Sequence, residues 1–128
     1  MKAVFPDFGS LGPADLDLSA LHQTLPGIRL FASSTPGEAR ERIAGCEILI
    51  VNKVRLDREL LTANPALRLV CLAATGSDNI DLQAARELGI TVCNIRNYCT
   101  ASVVQHVFGM LLSLNLRLDE YRRLLVNG

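Results

Sequence analysis

Apolar and polar positions along this chain fall into short runs separated by turn residues, and the runs are of two alternating kinds. Lys2–Phe5, Ile28–Phe31, Glu47–Val51, Leu69–Leu72 and Ile90–Cys93 are nearly continuous in apolar or β-branched character. Runs that short and that apolar predict strands buried on both faces. Helical stretches lie between them. One passes through Leu18, Leu21 and His22, capped by Asp15 or Asp17 and stopped by Pro26-Gly27. A second opens with Thr35 as N-cap and Pro36 at the first helical position, Glu38 adding negative charge to the first turn, and ends near Gly45. Asp57 caps a short helix over Arg58–Thr62, and Asp81 caps another over Leu82–Leu88, which Gly89 ends as a left-handed residue. This alternation predicts an α/β fold: a five-stranded parallel sheet in the order 2-1-3-4-5 with helices on both faces.

The last stretch has a different pattern. Thr100 or Ser102 can cap a long helix running to about Leu118, and Gln105 stands three residues beyond Ser102 in capping-box spacing. At about 100° per residue, Val103, Val104, Val107, Phe108, Met110, Leu111, Leu112, Leu114 and Leu118 cover an arc of roughly 200°. A single core needs little more than a 100° stripe. The pattern therefore predicts two packing partners for this helix, of which the sheet can supply one.

Composition narrows the function classes. Thirteen basic and thirteen acidic residues balance, and aromatic residues make up only 5% of the chain. Neither a nucleic-acid partner nor an anionic membrane surface is expected. The apolar residues after Met1-Lys2 are too few for a secretory signal, and Val107–Leu112 is too short to span a bilayer. Cys46, Cys71, Cys93 and Cys99 form no CxxC and no metal-ligand spacing with His22 or His106. Reduced structural cysteines in a cytoplasmic protein are the expectation, with no metal.

The candidate chemistry centres on Leu69–Asp81. A predicted strand turns through Thr75-Gly76-Ser77-Asp78-Asn79 into a predicted helix, gathering backbone N–H groups that suit a carboxylate or phosphate. A plain strand-to-helix connection would use the same residue types. Lys53 follows the third strand and so lies at the same carboxyl edge, where ligands of open α/β sheets bind. Gly9 and Gly12 after the first strand do not have GxGxxG spacing, and no GxGxxG occurs anywhere in the sequence. A phosphoacceptor role for Asp7 would want an acidic pair after the first strand and a lysine after the fifth, where Asn94-Ile95-Arg96 offers none. The two histidines carry no local catalytic signature.

The run ATGSDNIDLQAARELGITVCN, followed by NYCTASVVQHVFGMLLSL, resembles the D-isomer-specific 2-hydroxyacid dehydrogenases. VFPDF, VNKVRLD and AATGSDNID are most similar to the glycerate dehydrogenase (hydroxypyruvate reductase) branch. The resemblance implies a flavodoxin-like substrate domain over residues 1–99 and a hinge helix over 100–128 that leads to a nucleotide-binding domain. It implies substrate contacts at Thr75, Gly76 and Ser77, to which Lys53 is added by its place on the same edge, nicotinamide contacts at Thr100 and Val103, and NAD or NADP in the full-length family. The implied partners are a small 2-oxo or 2-hydroxy acid and a second copy, joined as a homodimer through the region of the long helix. Gln105 stands where the family commonly has a glutamate. The family's GxGxxG loop and its catalytic Arg, Glu and His have no counterpart among these residues. The chain alone is therefore expected to neither bind NAD(H) nor reduce hydroxypyruvate, as the substrate-binding part of a longer dehydrogenase. The alternative is a non-catalytic flavodoxin-like module that binds an anion or a protein.

Overall fold

The computed structural model describes residues 1–127. The strands are β1 (Ala3–Phe5), β2 (Arg29–Leu30), β3 (Ile48–Val51), β4 (Leu69–Leu72) and β5 (Thr91–Asn94). They form one sheet in the order β2-β1-β3-β4-β5, with every pairing parallel. The helices are α1 (Ser19–Thr24), α2 (Pro36–Ile43), α3 (Arg58–Thr62), α4 (Leu82–Glu87), α5 (Thr100–Asn115) and α6 (Leu118–Asn127). Two 3-10 turns, Phe8–Leu11 and Pro13–Asp15, fill the loop after β1. The predicted sheet, its order and its strand direction are all present.

Local chemistry explains where the helices begin. Thr35 and Glu38 form a full capping box: the Glu38 N–H donates to Thr35 Oγ1 at 3.3 Å, and the Thr35 N–H donates to Glu38 Oε2 at 2.8 Å. Asp57 Oδ1 accepts from the Leu60 N–H, and Asp81 Oδ1 accepts from the Ala84 N–H. Neither Asp15 nor Asp17 caps α1 as expected: its N-cap is Leu18, with no side-chain cap bond, and Asp17 Oδ1 accepts from the Ser19 N–H ahead of the helix. Gly89, at φ +71, takes the left-handed position after α4 that an L side chain would strain.

The chain divides into two compact units, the first ending at Arg96. In the first, Leu49, Val51, Val70 and Leu72 point into a core closed by Ala39 and Ile43 of α2, Leu60 and Leu61 of α3, and Ala84 and Ala85 of α4. The opposite strand positions are less covered than their apolar character predicts. Ile48, Ile50, Leu69 and Cys71 are half-buried, and Thr91 and Cys93 are exposed. The register sets them side by side, Ile48 beside Leu69 beside Thr91 and Ile50 beside Cys71 beside Cys93. The cause is topological. In this strand order, right-handed crossovers put α1 on one face and α2, α3 and α4 on the other. Within the first unit, β3, β4 and β5 are thus covered by helices on one face only.

The second unit, from Asn97 onward, departs from the single long helix of the sequence pattern. Arg117 adopts φ +49, and the helix breaks there into α5 and α6. The N-cap is Cys99, with no side-chain cap bond, so Thr100 is the first helical residue and Ser102 lies inside the helix. No residue of α5 is buried; Val107, Phe108, Leu111 and Leu114 are 55%, 59%, 56% and 76% exposed. Among the described residues no helix is long and apolar enough to cross a membrane.

Candidate functional site

Three loops meet at the carboxyl edge of the sheet. The first follows β1, where Asp7 is only 5% exposed and directs its carboxylate at the loop after β3. Asp7 Oδ1 accepts from the Asn52 N–H at 3.1 Å, and Oδ2 accepts from the N–H groups of Lys53 and, at 2.9 Å, Val54. The carboxylate thus holds three consecutive backbone donors that a sheet edge would otherwise leave without partners. Ser10 completes the corner by donating to the Asp7 carbonyl and accepting from Asn52 Nδ2. Gly9 is required by packing. A Cβ there would sit 2.5 Å from the Ala32 carbonyl oxygen, whose bond from the Gly9 N–H is 2.9 Å.

The third loop is the turn after β4. Asn79 Nδ2 donates to the Asn52 carbonyl at 3.3 Å and to the Val54 carbonyl at 2.9 Å, so the same three-residue segment is held from its other side. A parallel bridge between Leu56 and Ile80 continues the join, with the Leu56 N–H donating to Asn79 O and the Asp81 N–H to Leu56 O. On the far side, Asn94 Nδ2 donates to the Thr75 carbonyl and the Ile95 N–H to the Ala74 carbonyl, fixing the start of the turn to β5.

Within this frame the side chain of Lys53 is exposed. It lies beside a groove of about 560 Å³ lined also by Asp7, Gly9, Ser10 and Ser34, and another of about 360 Å³ lined also by Ser34, Arg40, Arg55 and Asp57. The Thr75 turn lines neither. Thr75 and Gly76 are exposed and Ser77 is half-buried. Among the described residues, the N–H groups of Thr75, Gly76 and Ser77 meet no acceptor. Gly76 has no left-handed φ, and a Cβ there would meet only Asp78 Oδ2 at 3.4 Å. Its value is openness over the turn, with Asp78 the nearest negative charge. Lys53 and Thr75–Ser77 therefore share an edge and are tied through Asn79, while their side chains line separate surfaces.

Thr100 and Val103 occupy the first turn of α5, both exposed, in the second unit. The loop after β1 does not fit a dinucleotide's pyrophosphate. This loop, where such a cradle would stand in an α/β sheet, has Gly9 pressed against the Ala32 backbone and its inward N–H groups committed. Asp7, Asn79 and Asn94 are the organising polar residues that sequence reading did not identify. Asp7 was legible only as an acid after a buried strand, and Asn79 only as a turn former.

Comparison with known proteins places this geometry in context. Residues 11–114 match the family model described as D-isomer specific 2-hydroxyacid dehydrogenase, catalytic domain. The chain is 42% identical to a glycerate dehydrogenase of Methylorubrum extorquens over 94% of its own length and 37% of the relative's. It is 34% identical to a hydroxypyruvate reductase of Blautia hydrogenotrophica over 100% of its length and 40% of that protein's. The chain thus spans about two fifths of the length of these relatives. Among solved structures, an acyclic imino acid reductase in complex with NADPH and D-Arg matches with a TM-score of 0.80 at 25% identity, over 96% of this chain and 41% of that one.

Proposed function

The chain belongs to the D-isomer specific 2-hydroxyacid dehydrogenase family, and from that premise we propose that its sheet edge holds the carboxylate of a small 2-hydroxy or 2-oxo acid, hydroxypyruvate and D-glycerate first among them. The observation that carries this reading is the run of N–H groups at Thr75, Gly76 and Ser77, without acceptors among the described residues, on two exposed residues and one half-buried one. Three such donors at the carboxyl end of a parallel strand complement a carboxylate without any charged side chain. Lys53, held in the neighbouring loop, adds a positive charge on the same edge. The names of the two relatives favour hydroxypyruvate and glycerate as the acid.

These residues bind and orient; they do not complete a reaction. Reduction of a 2-oxo acid needs a hydride donor and an acid that protonates the carbonyl oxygen. A nicotinamide cofactor, NAD or NADP, supplies the hydride when bound. On this reading Thr100 and Val103 lie on its nicotinamide side, and the pyrophosphate cradle comes from residues other than those described. Residues 1–99 form the substrate part and residues from 100 onward the hinge. The apolar arc of α5 belongs to a homodimer contact, and the reduced thiols suit the cytoplasm. The 128 residues alone neither oxidise NADH with hydroxypyruvate nor hold NADH.

The reading is tested by titrating the 15N-labelled chain with D-glycerate. Saturable shifts confined to the amides of Thr75, Gly76 and Ser77 and to the Lys53 segment are expected, with a dissociation constant in the millimolar range, about 4 kcal/mol. Shifts absent from that turn at tens of millimolar acid would refute it.

A further inference from the structure

The Asn52–Val54 segment is held in an unusual way. Its three N–H groups end on one buried carboxylate, Asp7, and two of its carbonyls end on one amide, Asn79. Asp7 lies 45 to 47 residues away in sequence and Asn79 25 to 27, so the clamp closes only when the β1, β3 and β4 loops are all in place. Asn52 and Asp7 are two of the three buried polar residues of the described chain. The Asp7 oxygens and the Asn79 Nδ2 are spent on backbone. What the clamp leaves free is the side chain at its centre, Lys53. The segment's backbone is fixed on both sides, while Lys53 is exposed and lines two open grooves.

The geometry is that of a mounting, and we propose that Asp7 and Asn79 are positioning residues. They set the place of the Lys53 ammonium relative to the Thr75–Ser77 amides and thereby how firmly this edge holds a carboxylate. This rests on the reading that those amides hold the acid. Asp7 acts because a carboxylate is the one side chain that accepts from several converging N–H groups at once and donates to none. An amide in its place would bring two donors against three. Asn79 acts from two residues beyond Ser77, so displacing it moves the loop and the turn relative to each other. The contribution of both passes through the lysine. It must therefore vanish when the lysine does.

A double-mutant cycle on D-glycerate binding tests this, read from the Thr75–Ser77 amide shifts of the 15N-labelled 128-residue chain. Asp7→Asn and Lys53→Ala are each expected to weaken binding about tenfold, and the double variant no further than the weaker-binding single one. Losses that multiply to about a hundredfold would overturn the positioning role while leaving the site reading intact. Asn79→Ala, cycled against Lys53→Ala in the same way, supplies the same decision if Asp7→Asn does not fold. Hydrogen exchange gives a readout without ligand: Asp7→Asn should expose the Asn52, Lys53 and Val54 amides while Ile48–Val51 stay protected. Uniform loss of protection through β3 would make Asp7 a general stability residue and overturn the proposal. If the unaltered chain shows no saturable shift at Thr75–Ser77, the site reading fails, and this inference fails with it.

Discussion

The apolar face of α5 leads to a quantitative expectation for self-association. Val107, Phe108, Leu111 and Leu114 are exposed by 55–76%. Full burial of a large apolar side chain is worth about 1.5–3 kcal/mol, so covering the remaining surface of each adds about 1–2 kcal/mol. Four side chains then give about 4–8 kcal/mol per copy, and a twofold contact doubles it to about 8–16 kcal/mol. Association itself costs about 4–15 kcal/mol in lost freedom and ordering. Against an association cost of about 7 kcal/mol, the upper half of that gain, about 12–16 kcal/mol, leaves about 5–9 kcal/mol, a contact in the submicromolar to submillimolar range that depends on concentration. Phe108→Asp is the sharpest perturbation. Each dimer carries the residue twice, so the change should remove about 2–4 kcal/mol and weaken association about a hundredfold. Sedimentation equilibrium from about 5 to 500 µM should show the unaltered chain moving from monomer toward dimer and Phe108→Asp remaining monomeric. Gln105→Lys, on the polar side of the same helix, should not differ from the unaltered chain. A monomer at every concentration, with α5 amides protected from exchange, would refute the reasoning.

Three further outcomes follow from the local chemistry. Asp78 Oδ2 lies 3.4 Å from where a Gly76 Cβ would stand. Near-aqueous repulsion over about 5 Å is worth about 1 kcal/mol, so Asp78→Asn should tighten D-glycerate binding about fivefold at low salt and less at high salt, by the same titration. The Glu38 carboxyl is held below its ordinary value of 4.5 by the Thr35 backbone N–H, then by the Thr35 hydroxyl, with burial opposing and Arg42 assisting. Its stabilisation is therefore present above that ordinary value and fades as pH falls through the lower folded one. Thr35→Ala should cost about 1 kcal/mol in urea unfolding at pH 7, and less at a pH below the folded value of Glu38. Burial pushes the Cys46 thiol up to about 11, whereas Cys93 is exposed. Iodoacetamide at pH 8 should label Cys93 in the native chain and spare Cys46 until denaturant is added, as peptide mapping would show.

What was legible in the sequence, and what was not, divides by the separation of the partners. Caps are decided within three residues, and Thr35, Asp57 and Asp81 all accept the bonds their positions predict. Strand character is decided within four or five residues, and β4 spans the predicted Leu69–Leu72. Edges were less legible. β2 keeps only Arg29–Leu30, and β5 begins one residue later than its apolar run, at Thr91. An edge strand is defined by the ladder bonds a single neighbour offers, and periodicity carries no record of those. The break at Arg117 was invisible because the apolar repeat continues across it through Leu118. The Asp7–Asn79 clamp joins residues dozens of positions apart, and nothing in the local pattern marks an aspartate after a strand as the holder of another loop.

The half-open sheet face is a different case, because it follows from what sequence reading already contained. Five parallel strands in the order 2-1-3-4-5, joined by right-handed crossovers, send one helix to one face and three to the other. A single helix of six residues, α1, cannot cover β3, β4 and β5 as well as the strands it joins. The continuous apolar runs at Ile48–Val51 and Leu69–Leu72 nevertheless have the composition of doubly covered strands. Topology and composition thus disagree on this face by a definite amount, the half-buried Ile48, Ile50, Leu69 and Cys71. The apolar arc of α5 makes the same kind of disagreement, since its width predicts two partners and none of its residues is buried. The carboxyl edge is the opposite. Its side chains at Asp7, Asn52, Asn79 and Asn94 are bonded within the first unit, while among the described residues the Thr75–Ser77 amides meet no acceptor. Burying polar groups unpaired costs more than leaving apolar ones exposed. A unit that completes its polar bonds at this edge and leaves apolar surface elsewhere has therefore settled the more demanding part of its structure around the candidate site.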